Sequence, residues 1–332
     1  MDLHEKSLRV GAAAVVCALL LRLFAAGMPQ QLLTQLANPE NLALLLYLET
    51  GQVLRLGLRE TQPTLPSETQ PPRETEPAPV LPVFAQEDAA LVGVNSVCGY
   101  EADVAALLQQ PLRWDLTAEG PTVLILHTHG TESYTKTEDY EESSAYRTMD
   151  PGYNVVSVGA RIAQVLEAGG IEVIHDTALH DEPSFVDAYN QSRASAERYL
   201  AQYPSIRIIL DIHRDSAEDS QGNQFGPTVE VDGEKAAKVM MVVGTDVNLA
   251  HPAWRENMAL AVKLHAQLEK TTPGLCRDIS FRKQRFNQDL STGAMLIEMG
   301  AAGNTRQEAL LAAELLARGI LALAHGTGDT LA

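Results

Sequence analysis

The sequence predicts an α/β fold from about residue 88 onward, with a mixed, mostly parallel sheet flanked by helices on both faces. Short runs rich in Val, Ile and Leu alternate with stretches of helical periodicity, and this alternation is typical of parallel sheets covered by helices. Two strands follow each other without an intervening helix at 228–231 and 238–243, which indicates that the sheet is mixed.

The individual elements are predicted from apolar runs for strands and from a 3.6-residue period for helices. Gly120-Pro121 bounds the first strong strand, and Gly169-Gly170 ends the first helix. In chain order we predict a strand at 121–126, a helix at 154–168, a strand at 171–174, a helix at 184–203, strands at 206–212, 228–231 and 238–243, a helix at 252–269, a strand at 294–299 and a helix at 305–323.

The N-terminal part of the chain predicts a membrane anchor. Residues 1–9 include two basic side chains and precede an apolar run at 10–28, which is close to the roughly 20 residues that span a bilayer. The basic flank predicts a cytoplasmic tail at 1–9 and places the rest of the chain outside. A cleaved signal peptide is the alternative, because Ala25-Ala26-Gly27 offers small residues to a peptidase.

A juxtamembrane segment and a linker separate this anchor from the globular part. Residues 29–60 have Leu-rich helical spacing, whereas residues 61–87 are rich in Pro, Glu and Thr. Because the second segment has few large apolar side chains to bury, we expect it to stay extended. The layout predicts a single-pass protein of the cell membrane whose catalytic domain, 88–332, lies outside the cytoplasm.

The composition limits the partners of the protein. The formal net charge of −18 disfavours a nucleic-acid backbone as the main partner. The three cysteines, Cys17, Cys98 and Cys276, contain no Cys-x-x-Cys pair, which disfavours a cysteine zinc site. We expect Cys98 and Cys276 to be unpaired residues of the core, and a disulfide between them outside the cell is the alternative.

Three predicted strands end in residues that bind metals or transfer protons. The segments are His127-Thr-His129-Gly-Thr-Glu132, Asp211-Ile-His213-Arg-Asp215 and Glu298-Met-Gly300. Because the carboxyl ends of parallel strands meet at one edge of a sheet, we expect these side chains to lie close together. Hydrolytic zinc sites use three His or carboxylate ligands and leave one position for water. The sequence therefore predicts a zinc hydrolase.

The spacing selects His129, Glu132 and His213 as the zinc ligands, because His-x-x-Glu on a turn after a strand lets both side chains converge. Glu298 is the predicted general base, since a carboxylate can take the proton of the attacking water. His127 is the alternative to His129, and we expect whichever of the two does not bind metal to point elsewhere.

Four further residues are candidates for the same site. Asp215, with Asp211, is positioned to orient His213 or to pair with Arg214, and a surface ion pair explains Arg214 equally well. Arg282 and Arg285 belong to the one basic cluster of an acidic chain. An ordinary solvated surface is one explanation of that cluster. The functional alternative is that Arg282 and Arg285 bind carboxylates of the substrate.

Several motifs resemble the stage II sporulation protein P family. They are LILHTHGTESY at 124–134, YNVVSVG at 153–159, DIHRDS at 211–216 and FNQDLSTGAMLIEMG at 286–300, followed by Asn304. The resemblance extends over about residues 90–325, and the apolar span plus stalk also matches the family's layout. Gly130 is a departure, since many members carry a bulkier residue there.

The resemblance implies a peptidoglycan hydrolase of endospore-forming bacteria. Family members resemble zinc-dependent N-acetylmuramoyl-L-alanine amidases, which remove stem peptides from glycan strands, and endopeptidase activity on cross-links is also attributed to them. They act in the mother-cell membrane, facing the space between the membranes, during engulfment. Their partners are stage II sporulation protein D, a lytic transglycosylase, and stage II sporulation protein M, a membrane scaffold.

Carried onto this sequence, the family's essential histidines correspond to the His127–His129 block and His213, and its active-site Glu to Glu298. The carboxylate ligand stays open. Related amidases place a Glu where this chain has Tyr153-Asn154, so Glu132 fills the role here, or Glu141 or Glu142 does.

Two other functions compete with the amidase. One is a peptidase that cuts peptide cross-links of the wall, and the other is a catalytically silent scaffold that binds the wall. The candidate ligands and Glu298 argue against the scaffold.

Overall fold

The structure, a computed structural model, describes residues 84–326 apart from residues 113, 142, 144, 217 and 219–222. The described residues belong to the second of the two units into which the chain divides, Arg73–Ala332. The strands are β1 (Val94–Ser96), β2 (Val123–Leu126), β3 (Val173–His175), β4 (Ile208–Asp215), β5 (Thr228–Val231), β6 (Glu234–Ala237), β7 (Val239–Val243), β8 (Ile279–Phe281) and β9 (Gly293–Ala301). The α-helices are α1 (Val104–Gln109), α2 (Val155–Ala168), α3 (Ala188–Gln202), α4 (Trp254–Thr271) and α5 (Arg306–Ala324), and 3-10 helices occupy Gln86–Leu91, Phe185–Asp187 and Gln288–Leu290.

The main sheet has seven strands in the order β1-β8-β7-β9-β4-β2-β3. Strands β9, β4, β2 and β3 run parallel to one another, and β7, β8 and β1 also run parallel among themselves. The two groups meet at an antiparallel pairing of β7 with β9. The mixed, mostly parallel α/β sheet predicted from the sequence is therefore confirmed. The other pair of strands, β5 and β6, forms a separate antiparallel hairpin.

Alternate residues of the strands enter two different cores, as the pleat of a β-strand requires. One face of the sheet, the core face, packs against α2, α4 and α5 through a large aliphatic cluster that includes Ile125, Leu210 and Ile297. The opposite face, which we call the site face, carries Leu124, Leu126 and Ile209 under α3 and Leu296 beside β7. Helices lie on both faces, as predicted, but most of the apolar burial is on the core face.

Most predicted elements are present within two residues of their predicted ends. Asn154 caps α2 by accepting a hydrogen bond from Val156 N, and Thr305 caps α5 in a reciprocal arrangement with Glu308. The predicted helix at 184–203 is divided between a short 3-10 helix and α3. Four short elements were not predicted from the sequence, namely β1, α1, β6 and β8, because each has six residues or fewer and is too short to show a period.

The start of the described chain packs on the domain. Phe84, inside the predicted linker, is buried in the core, and Asp88 pairs with Lys270 of α4 at 3.2 Å. Lys263 of α4 is fully buried, and its amine donates a hydrogen bond to Leu108 O near the end of α1. The same amine lies 5.3 Å from the centre of the Phe84 ring. Lys263 therefore fastens the segment 84–109 to α4.

No helix among the described residues is both long and apolar enough to cross a bilayer. The predicted tail, anchor and juxtamembrane segment, at 1–9, 10–28 and 29–60, lie outside the described residues, as does most of the linker at 61–87. Of the cysteines that the structure describes, Cys98 and Cys276 are both unpaired, as expected.

Replacing Lys263 with Met should change how stability depends on pH. Burial lowers the pKa of Lys263 to about 8 in the folded protein, whereas an unfolded lysine has a pKa of about 10.4. Between these values the unfolded chain binds more protons, so the wild type should gain stability relative to Lys263→Met, by roughly 2 kcal/mol from pH 8 to pH 10. Urea denaturation of both proteins across this range measures the difference, and a constant difference contradicts the prediction.

Candidate active site

The pairing of β4 with β9 brings two predicted site residues together. In this parallel pair the Cα of His213 is opposite the Cα of Glu298, so both side chains leave the same face of the sheet. Asp211 and Leu296 form the preceding pair on that face. The ladder shifts its register directly after His213, where a β-bulge or irregularity ends the regular pairing. The site therefore begins where the β4–β9 ladder becomes irregular.

His213 lies between two carboxylates. Its Nδ1 is 3.3 Å from Glu132 Oε2, and its Nε2 is 2.9 Å from Asp211 Oδ1, although this second approach lacks the alignment of a hydrogen bond. Burial alone would lower the pKa of His213, but the charges of Asp211 and Glu132 raise it well above its ordinary value. His213 is therefore a buried cation that neutralises part of an acidic site.

Asp211 is held in place by Thr128. The backbone N–H of Thr128 donates to Asp211 Oδ1 at 2.8 Å, and its hydroxyl donates to Asp211 Oδ2 at 2.6 Å. Burial alone would raise the pKa of Asp211, but His213 and these donors lower it. A carboxylate that fixes a histidine ring in this way is a common partner of metal-binding histidines.

Glu132 is surrounded by cationic and N–H groups. Its Oε2 accepts a hydrogen bond from the backbone N–H of Arg214 at 3.2 Å, and its Oε1 lies 3.6 Å from the Arg147 guanidinium and 3.7 Å from that of Arg214. Burial opposes ionisation, but His213 and Arg214 hold the pKa of Glu132 below its ordinary value. Glu132 is therefore an ionised carboxylate fixed beside His213. Glu141, an alternative ligand, is exposed, and Glu142 lies outside the described residues.

His129 faces His213 across the site. The two ring centroids are 5.4 Å apart, and the rings are nearly perpendicular. The His129 ring stacks on Phe185 at 4.2 Å and meets the Tyr189 ring edge-on at 5.6 Å. Burial and the charge of His213 lower the pKa of His129 to about 4, so its ring is neutral at pH 7. The Nδ1 of this neutral ring is buried and has no hydrogen-bond partner.

His127 points to the other side of the chain, as expected for one member of an alternating pair. Its Nδ1 is 3.0 Å from Ile212 O, and its Nε2 is 2.9 Å from His175 Nε2. The ring is completely buried, and a Cβ at Gly159 would lie 2.6 Å from it. The structure therefore brings His129, Glu132 and His213 together and leaves His127 in the hydrogen-bonded interior beside α2.

Glu298 is half-buried at the centre of the sheet, with its Oε2 atom buried. Its Oε2 has no hydrogen-bond partner. Burial raises the pKa of Glu298 above its ordinary value, against the opposing effect of His213 and with a further rise from Glu132. A carboxyl with a raised pKa next to a charged cluster is typical of groups that take up and release protons in catalysis.

The donor set suits a zinc ion, because it combines two imidazoles with one carboxylate. The buried His129 Nδ1 lacks a hydrogen-bond partner, and His213 Nδ1 faces Glu132 Oε2 at 3.3 Å while its Nε2 faces Asp211. Within the described part of the chain, however, no group of three or more His, Cys, Asp or Glu side chains is already arranged around a common metal position. The residues fit the metal by chemistry and proximity.

The four additional candidates have different surroundings. Arg214 donates hydrogen bonds to Ser133 O and Tyr146 O, both at 2.9 Å, which orders the loop that carries Glu132. Asp215 forms an ion pair with Arg277 at 2.7 Å, so Asp211 alone of the two acids contacts His213.

Arg282 and Arg285 follow β8, which runs opposite to β9 and β4. Their loop therefore starts at the sheet edge opposite the carboxyl ends of β2, β4 and β9. Arg282 donates to Ser280 Oγ, and Arg285 pairs with Asp289 at 3.2 Å. The binding of substrate carboxylates by Arg282 and Arg285 stays a prediction.

The sequence analysis missed the residues that surround His129. Phe185 stacks on His129, and the Arg147 guanidinium covers the Phe185 ring at 4.5 Å from its centre. Arg147 also pairs with Asp181 at 2.8 Å. Phe185 and Tyr189 lie in a stretch whose helical period explains them as ordinary helix residues, so no pattern connects them to the site.

Comparison with known proteins gives the family. The model of the family described as Stage II sporulation protein P (SpoIIP) matches residues 60–321. The chain belongs to this family. The stage II sporulation protein P of Bacillus subtilis (strain 168) is 29% identical over 237 residues, which cover 65% of this chain and 57% of that protein. The chain thus matches 57% of the length of its SpoIIP relative.

Solved structures similar to this SpoIIP family member have low sequence identity to it. The N-acetylmuramoyl-L-alanine amidase AmiC2 of Nostoc punctiforme is 18% identical, with a TM-score of 0.39 over 61% of this chain and 97% of that chain. The catalytic domain of CwlV, an N-acetylmuramoyl-L-alanine amidase from Bacillus (Paenibacillus) polymyxa var. colistinus, is 15% identical, with a TM-score of 0.38 over 62% and 96%.

Removing the charge of Asp211 should destabilise the metal-free protein. Asp211→Asn leaves the buried His213 cation with a weaker partner, and we expect a loss of about 2 kcal/mol in the free energy of unfolding. Asp215→Asn, on the same strand, removes only a partly exposed ion pair and should cost less than about 1 kcal/mol. Urea denaturation at pH 7 compares the two, and equal losses would show that Asp211 is not a special partner of His213.

Proposed function

We propose that this protein is a zinc-dependent N-acetylmuramoyl-L-alanine amidase that removes stem peptides from the glycan strands of peptidoglycan. The observation that carries the proposal is the convergence of His129, Glu132 and His213 beside Glu298, which is paired with His213 across β4 and β9. Membership of the stage II sporulation protein P family supports a bacterial wall substrate.

His129, Glu132 and His213 would hold the ion. A bound zinc ion supplies polarisation of the scissile carbonyl and lowers the pKa of an attacking water. Thr128 and Asp211 orient the His213 ring, while Arg214 favours the ionised form of Glu132 and donates a backbone hydrogen bond to it. Each proposed ligand therefore has a supporting contact that limits its movement.

Glu298 moves the proton. Its carboxylate takes a proton from the attacking water at Oε2, the buried atom without a hydrogen-bond partner, and then returns it to the nitrogen of the leaving L-Ala. Because burial raises the pKa of Glu298, the carboxylate is a stronger base than an exposed glutamate, and its conjugate acid persists long enough to protonate the amine.

The wall peptidase is the second candidate, since the same residues cut any amide bond that is placed correctly beside Glu298. The family resemblance favours the sugar–peptide amide. It also supports the rest of the proposal: a cell-membrane protein whose domain faces outward and acts in engulfment, with stage II sporulation proteins D and M as partners.

The products distinguish the two activities. Purified protein loaded with zinc should release free stem peptides with an N-terminal L-Ala from peptidoglycan, and Glu298→Gln should lower the rate by at least about 10³-fold, because no other group replaces the base. Mass spectrometry of the soluble products measures both. Cross-link cleavage without free L-Ala termini would favour the peptidase, and full activity of Glu298→Gln would exclude this role of Glu298.

Zinc affinity tests the ligands separately from activity. His129→Ala and His213→Ala should each weaken zinc binding by at least about 10²-fold, because each removes one of three protein ligands. His127→Gln should keep affinity within about tenfold, since His127 contacts Ile212 O and His175 instead. Competition with a chromogenic chelator gives the affinities, and circular dichroism confirms folding. Loss of zinc from His127→Gln with retention by His129→Ala would reverse the assignment.

A further inference from the structure

The segment Phe286–Asp289, part of the long motif at 286–300, lies between β8 and β9 and is hydrogen-bonded to both β7 and α3. Gln288 accepts a hydrogen bond from Gly244 N and donates one to Val242 O, both at 2.8 Å, which fixes it to the end of β7. Asp289 binds both terminal nitrogens of Arg193, at 3.0 and 3.1 Å, which fixes it to α3. The segment therefore joins α3 to the sheet.

Phe286 and Asn287 meet the first turn of α3 at Tyr189. The Phe286 ring lies 6.1 Å from the Tyr189 ring, and the Asn287 amide donates a hydrogen bond of 2.7 Å to Tyr189 O. The same amide is 3.3 Å from Ser192 Oγ, one turn further along α3. Both the ring and the backbone of Tyr189 thus have a partner in this segment.

The contact requires an unfavourable backbone. Phe286 and Asn287 have φ values of 51° and 59°, so two successive non-glycine residues adopt the left-handed conformation. Asparagine tolerates this region, but for phenylalanine it is sterically unfavourable. Backbone strain of this kind persists at sites where it serves a geometry, and here the geometry is the docking of both side chains on Tyr189.

Tyr189 stands at the candidate active site. Its ring meets the His129 ring edge-on at 5.6 Å. A tyrosine hydroxyl carries its proton at pH 7, because its ordinary pKa is about 10. Within the described part of the chain, that hydroxyl donates a hydrogen bond to no other residue.

We propose that Tyr189 is a further catalytic residue, whose hydroxyl donates a hydrogen bond to the carbonyl oxygen of the scissile amide as that oxygen gains negative charge. A preorganised donor at such a position is one of the larger contributions to amide hydrolysis, about 10²–10³-fold in kcat. Asn287 is a positioning residue that acts through Tyr189. The proposal rests on the amidase function proposed above.

A hydrogen-bond network links this donor to the proposed metal ligands. Asn287 contacts Ser192, Ser192 contacts Thr128 at 2.8 Å, and Thr128 holds Asp211, the partner of His213. One connected set of side chains therefore links Tyr189 to the proposed metal ligand His213. This connection limits their relative movement, as a catalytic arrangement requires.

Tyr189→Phe tests the hydroxyl with almost no change in shape. In zinc-loaded enzyme acting on peptidoglycan fragments, kcat should fall about 10²-fold while KM changes less than threefold, because the bond strengthens only as charge develops. Zinc affinity and thermal stability should stay at wild-type values. Tyr199→Phe, on the same helix but in the small aliphatic cluster under α3, is the matched control and should have wild-type kcat.

A transition-state mimic gives a second readout that needs no turnover. A phosphinate analogue of the muramoyl–L-Ala bond carries negative oxygens where the carbonyl oxygen develops charge. Tyr189→Phe should weaken binding of this analogue about as much as it lowers kcat. Binding of the intact fragment is measured in inactive Glu298→Gln protein, and adding Tyr189→Phe to that protein should leave this affinity unchanged. Isothermal titration calorimetry measures both affinities.

A double-mutant cycle tests Asn287. Asn287→Gly keeps the left-handed backbone without strain and removes the amide, so kcat should fall about tenfold, with a small loss of thermal stability from the missing hydrogen bond. If Asn287 acts through Tyr189, combining Asn287→Gly with Tyr189→Phe should lower kcat no further than Tyr189→Phe alone. Fully additive losses would show that Asn287 has an independent role.

Several results would overturn the proposal about Tyr189. They are a kcat of Tyr189→Phe within twofold of wild type, a loss that appears only in KM, or a loss that follows weakened zinc binding. Failure of the amidase function itself looks different, because the wild type then releases no peptide and does not bind the phosphinate. In that case there is no scissile carbonyl for Tyr189 to bind, and both the amidase function and the role of Tyr189 are wrong.

Discussion

The parallel pairing of β4 with β9 is the constraint on which the candidate site depends. It sets His213 opposite Glu298, and one step earlier it sets Asp211 opposite Leu296. A slip of one residue in either strand would turn these side chains into the aliphatic core face. That face is densely packed against α2, α4 and α5, so the core that stabilises the domain also fixes the register that forms the site.

Buried charge is tolerated here because each charged group has a counterpart. His213 lies between Asp211 and Glu132, and Glu132 in turn lies near Arg147 and Arg214. Breaking one such buried pair leaves an uncompensated charge in a low-dielectric interior, which costs several kcal/mol. Electrostatic attraction as well as packing therefore holds the side chains of the site, and their arrangement does not require a bound ligand.

The sequence predicted the long elements well because each shows a clear period or apolar run, as in β2, α2 and β4. It predicted that His129, Glu132, His213 and Glu298 lie close together, because strand ends in a parallel sheet share an edge. The reversed part of the sheet could not be assigned from the sequence. Strands β7, β8 and β1 run in the reverse direction, and no local pattern in a single strand reveals its direction.

Contacts between residues far apart in the chain were also beyond prediction. The position of Tyr189 depends on contacts with Phe286 and Asn287, which follow it by almost a hundred residues in the chain. The left-handed backbone at those positions could not be predicted, because glycine usually marks such a backbone in a sequence and this stretch has Phe instead. The stacking of Phe185 on His129 likewise depends on how α3 meets the sheet, which tertiary packing decides.

The attachment of residues 84–109 to α4 determines how the domain bears mechanical load. A pull exerted through the 83 residues that precede Phe84 would reach Lys263 and the ion pair between Asp88 and Lys270 first, and both belong to α4. That helix lies on the core face, across the sheet from Asp211, His213 and Glu298. Tension on the N-terminal side would thus enter the domain through α4 and the aliphatic layer before it reached the candidate site.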